Sequence, residues 1–171
     1  MPSVHKAAMR LRFAQIDLVR TELECLARKL NIELEYLKNI AELACPDCGA
    51  AEPEILVGMT ERVGASIDAC IRKVTYWAPA IPDAVPSLRA AIATLDDELR
   101  VEARSLAAAK PELQQLAHSE FEMSCPTCGG KSPRRFDQIC NRIIASVERA
   151  IAKILNAAPC ELARRSLIRS N

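Results

Sequence analysis

Apolar side chains return every three or four positions along most of this chain, and charged residues fill the intervals. The first run passes through Ile16, Val19, Leu23, Leu26, Leu30, Leu34, Leu37, Ala41 and Ala44. A helix turns once per 3.6 residues, so this spacing lines one face of a long amphipathic helix. A second such run passes through Leu88, Ile92, Leu95, Leu99, Leu106, Leu113 and Leu116, with Glu102 and Ala109 keeping the rhythm. The same spacing returns from Leu56 to Trp77 and from Phe136 to Leu155. Four amphipathic helices are predicted, with no convincing strand.

Prolines punctuate the pattern. Residues 79–87 hold Pro79, Pro82 and Pro86. Proline within a helix costs about 3 kcal/mol, so this stretch is predicted to be a linker, with Ser87 capping the helix that follows. Pro111 falls inside the third run and is expected to kink or split it near Lys110. Pro159 is expected to open a short last helix, CELARRSLIRS.

The chain also repeats itself. Glu42–Ile55 reads ELACPDCGAAEPEI and Glu122–Arg135 reads EMSCPTCGGKSPRR, 80 residues later. Without a gap, Cys45 falls on Cys125, Pro46 on Pro126, Cys48 on Cys128 and Gly49 on Gly129. The match continues through Pro53 and Pro133, Arg62 and Arg142, Ser66 and Ser146, and Lys73 and Lys153. Apolar character agrees at Met59 and Ile139, Val63 and Ile143, Ile67 and Val147, and Val74 and Ile154. Self-similarity of this kind marks a duplicated supersecondary unit, here helix, cysteine turn, helix.

The expected architecture is therefore all-α. It is an up-down-up-down four-helix bundle built from two hairpins, residues 1–78 and 88–171, joined by the linker at 79–87. Short links favour antiparallel neighbours, and that path brings the first and third turns to the same pole. Cys45, Cys48, Cys125 and Cys128 would then meet, and four thiolates in tetrahedral reach are a structural zinc site. The local residues suit it. Proline after the first cysteine tightens each turn, and glycine after the second can take positive φ, letting backbone N–H groups face the sulfurs.

Other readings of the cysteines are weaker. A C-x-x-C dithiol of thioredoxin type sits between a strand and a helix, and no strand is predicted. A separate site using His118 and Cys140 with the second turn has no counterpart in the first copy, where Lys38 and Thr60 occupy those places. Cys25 and Cys70 would sit at similar heights in the first hairpin and read as small apolar residues, with a redox pair as the alternative. Cys140 and Cys160 read as core or semi-buried residues.

Composition narrows the function. The 171 residues are 50% hydrophobic and 26% charged with a net charge of +1. A chain of this size buries roughly 70% of its unfolded surface. No leader pattern or membrane-length apolar run is evident, and eight cysteines without a leader point to reduced thiols or metal. A cytoplasmic protein is expected. No phosphate loop or catalytic triad is present, a four-thiolate zinc has no open position, and Glu33, Glu35, Glu98 and Glu102 read as solvated helix residues. Charge is uneven, because Ser124–Asn171 holds nine basic against three acidic residues. Lys131, Arg134 and Arg135 beside the second turn, with Arg164, Arg165 and Arg169, would suit phosphates. Asp47, Glu52 and Glu54 at the first turn oppose that.

The two turns, Cys45-Pro46-Asp47-Cys48-Gly49 and Cys125-Pro126-Thr127-Cys128-Gly129, with their heptad-like arms, resemble the zinc hook of SMC-like DNA-repair ATPases. That resemblance implies a mode of metal sharing, with both hooks here on one chain. The expected role is a non-catalytic, zinc-stabilised interaction or scaffold module that docks a protein partner or self-associates. Nucleic-acid binding is the alternative and CxxC redox chemistry a further one. Trp77, Ile81 and Val85 could form a docking patch or close the bottom of the core.

Overall fold

The structure, a computed structural model, describes residues 2–41, 48–49, 54–84, 88–118, 125, 127–129 and 133–157. Four helices account for nearly all of them: α1 (Pro2–Ala41), α2 (Glu54–Ala84), α3 (Leu88–His118) and α4 (Pro133–Leu155). The described residues contain no strand. The secondary structure of the described residues is all-helical, in line with the apolar spacing. The C-terminal segment expected to form a short helix lies outside the described residues.

One core runs through all four helices. Val19, Leu23, Leu26, Leu30 and Leu37 enter it from α1, and Ile92, Leu95, Leu99, Leu106 and Leu113 from α3. Repeat-equivalent positions are buried alike: Met59 with Ile139, Val63 with Ile143, Ile67 with Val147, Val74 with Ile154. Each such aliphatic side chain contributes roughly 1.5–3 kcal/mol on leaving water. Trp77 packs against this core and its Nε1 donates to Glu98 Oε2 at 3.0 Å, so it closes the core; the side chains of Ile81 and Val85 lie outside the described residues.

α1 packs most extensively on α2, and α3 on α4; α2 with α3 and α1 with α4 complete a ring. The contacts run in opposite order along facing helices. Trp77 meets Glu98, Lys73 meets Glu102 at 2.6 Å, and Arg62 meets Glu112 at 2.9 Å. Between α1 and α2, Arg20 meets Ala78, while Gly64 packs so closely that an added Cβ would lie 3.4 Å from Leu34 Cδ1. This register puts Ala84, the last residue of α2, about level with Ala14.

Two proline expectations are corrected. α2 does not stop before Pro79 but runs through Pro79 and Pro82 to Ala84. Pro82 has no N–H to give the Ala78 carbonyl one turn back, and Arg20 Nε donates to that oxygen at 3.3 Å instead. A neighbouring helix thus satisfies the acceptor that proline frees. α3 is likewise not split at Pro111. Pro111 and Ala107 are both exposed, so water can reach the carbonyl left without its helical donor.

Glu33 is a third correction. It is buried, 3% exposed, rather than solvated. Ser146 Oγ donates to it at 3.0 Å, Arg149 engages both carboxylate oxygens, and Lys153 Nζ pairs with Oε1. The Arg149 guanidinium also lies 4.9 Å from the centre of the Tyr36 ring. Burial alone would raise the Glu33 pKa, but the three donors outweigh it and hold it below its ordinary 4.5. Glu35 is exposed and pairs with Lys38 at 2.7 Å.

Candidate metal centre

Both cysteine turns carry the backbone that their glycines permit. Gly49 has φ of 74° and Gly129 a φ of 69°, the left-handed region that side chains with a Cβ seldom adopt. In the second turn Gly129 N–H donates to the Cys125 carbonyl at 2.8 Å, closing a tight loop. The loop turns the N–H groups of Cys128 and Thr127 onto the Cys125 sulfur. These two donors, with smaller help from the Cys48 and Cys128 thiols, bring the Cys125 pKa down to about 6. A thiolate is the form that ligates metal.

The turns come together although 77 residues separate Cys48 from Cys125. Their sulfurs lie 3.6 Å apart. The sulfurs of Cys48, Cys125 and Cys128 all lie within 4.8 Å of one another. Tetrahedral zinc with Zn–S bonds of about 2.3 Å requires sulfurs about 3.8 Å apart. These three residues are thus close enough to hold a metal ion, and they come from both turns. Cys45, the fourth expected ligand, lies outside the described residues.

Among the described residues, Cys25, Cys70 and Cys140 are not part of this cluster. Cys70 and Cys140 are fully buried. Burial, then the nearby carboxylate of Glu102, pushes Cys70 up to about 12. Burial and Asp137 push Cys140 up to about 11. Both behave as small core residues, as their spacing suggests. Cys25 is half-buried and no described cysteine forms a disulfide. Cys160 is outside the described residues. His118 Nδ1 pairs with the Gln114 carbonyl at 2.7 Å in the last turn of α3, consistent with a polar helix residue.

The basic candidates are less accessible to description. Arg134 and Arg135 stand in the first turn of α4, where the helix dipole disfavours positive charge. Lys131, Arg164, Arg165 and Arg169 lie outside the described residues. No described helix is long and apolar enough to cross a membrane.

Sequence reasoning missed the Glu33 cluster. The available signal was position: Glu33 falls three residues after Leu30, on the stripe that enters the core. Compared with protein-family models, curated proteins and solved structures, the chain matches none.

Proposed function

We propose that this chain is an up-down-up-down bundle of two hairpins whose cysteine turns share one zinc ion, held by Cys45, Cys48, Cys125 and Cys128. The observation that carries the reading is the approach of Cys48 to Cys125 and Cys128, three sulfurs from two distant turns in one cluster. Four thiolates complete a closed tetrahedral shell, which supports a structural ion with no position open for water or substrate. The ion pins the two hairpins in register at one pole. The resulting rigid helical surface acts as a non-catalytic interaction or scaffold module.

Metal content and nucleic-acid affinity test this together. The purified chain is expected to hold one zinc per chain, and Cys45→Ser and Cys125→Ser each to lose it. Titration with random DNA at low salt is expected to show no binding. Absence of tightly held zinc, or two ions per chain, contradicts the shared site. DNA affinity that falls steeply with salt would replace the interaction role with phosphate binding through the basic second turn and tail.

A further inference from the structure

The outward face of α1 carries a second apolar line, away from the core. Leu18 and Ile32 are 53% and 65% exposed, and half-buried Cys25 lies midway between them. These residues are seven apart, and Leu11 continues the interval in the sequence. An exact seven-residue interval on a helix surface is the seam of a coiled coil. The companion seam positions are Ala7 and Ala14, both exposed, then Thr21, Arg28 and Glu35. The seam is apolar only in its first half, from Ala7 to Leu18. That half includes the part of α1 that extends past the end of α2 by about 12 residues, or about 18 Å.

We propose that this half of α1 binds a second copy of the chain, antiparallel, about a two-fold axis near Phe13. The flanking charges select this arrangement. One edge of the seam carries Arg10, Asp17 and Glu24, all exposed. In an antiparallel pair this edge meets the same edge of the other copy. Centred near Phe13, Arg10 faces the other copy's Asp17, and the reciprocal pair forms on the far side of the axis. Leu18 packs across from the small Ala7.

Competing registers fail on charge or on the seam. Sliding the copies by one heptad keeps opposite charges at Arg10 and Glu24, but sets Asp17 against its own equivalent at the axis and brings Thr21 into the seam. Sliding by two sets Asp17 against Glu24 on both sides and puts Arg28 in the seam. A parallel pair sets Asp17 against Glu22 and Arg28 against Arg28. The favoured interface covers about three helical turns, well below the 1,200–2,000 Å² of a tight complex, so association falls in the micromolar to millimolar range. This inference gives the interaction role a partner and rests on that reading, but not on the metal.

Sedimentation velocity of the intact chain, with zinc content measured on the same samples, tests it. The wild type is expected to shift from monomer to dimer as concentration rises. Arg10→Asp or Asp17→Arg alone should weaken association by about tenfold, since each sets two like-charge pairs across the axis. The double exchange should return it to within about threefold of wild type. Leu18→Glu should leave a monomer of unchanged helical content. A wild type that stays monomeric at about 1 mM overturns the inference, as does a dimer that survives Leu18→Glu or a double exchange no better than the singles. If zinc is retained in those outcomes, the metal-pinned bundle stands and its partner is another protein.

Discussion

At the scale of single residues, two positions decide much of the local energetics. Glu33 is a buried carboxylate with three donors, and its pKa is held below 4.5. A group whose pKa falls on folding stabilises the native state above its unfolded pKa. That contribution is lost as pH drops below 4.5 and through the folded value. Thermal unfolding followed on the acid side of pH 4.5 should therefore show a steeper loss in the wild type than in Glu33→Gln. At neutral pH, Glu33→Ala should cost about 2–3 kcal/mol, somewhat less than the rupture of a fully buried pair because Arg149 remains partly hydrated. Equal acid limbs in wild type and Glu33→Gln would contradict the role given to this carboxylate. Gly129 offers a second test. An added Cβ there meets nothing within 4 Å, so Gly129→Ala should cost about 1 kcal/mol through φ strain alone, and Gly129→Asn less. Chemical denaturation of the three proteins gives the ranking, and an alanine variant as stable as wild type would contradict it.

At the scale of elements, the four helices were legible because their apolar positions keep a step of three or four over many turns. Their ends were not legible at the prolines. Pro82 reads as a stop in one dimension, yet Arg20, 62 residues earlier, supplies the donor that lets α2 continue. This makes a coupled prediction. Pro82→Ala restores the helical N–H to the Ala78 carbonyl, so Arg20→Ala should cost less in that background than in wild type. A double-mutant cycle on thermal stability measures the coupling, expected at about 0.5–1.5 kcal/mol. Strict additivity would mean that the Arg20 contact does not support the helix end. The Glu33 cluster was hidden for a related reason. Its partners lie 113 to 120 residues away, and no local period announces them.

The repeat explains more than the turns. Ser66 and Ser146 are equivalent, as are Lys73 and Lys153, and all four act across the boundary between the hairpins. Ser66 shares a hydrogen bond with Ser105, and Lys73 pairs with Glu102. Ser146 and Lys153 both donate to Glu33. The identities retained in the two copies therefore include polar residues that face the other hairpin. Their partners are not equivalent, which is why the repeat alone could not identify them.

At the scale of the whole molecule, the central claim is that both cysteine turns serve one ion. The motif and its repetition made the candidate ligands legible. The approach of the two turns, seen at Cys48, Cys125 and Cys128, was expected from the short links, which favour antiparallel neighbours. Zinc removal by a strong chelator should lower stability by several kcal/mol, less than the 10–16 kcal/mol of isolated zinc peptides, because a core already holds the helices together. The most direct test is X-ray absorption at the zinc edge on monomeric protein with its metal content counted. One zinc per chain surrounded by four sulfurs at about 2.3 Å is the predicted result. A first shell containing nitrogen or oxygen, or a zinc bound only when chains associate, would contradict it.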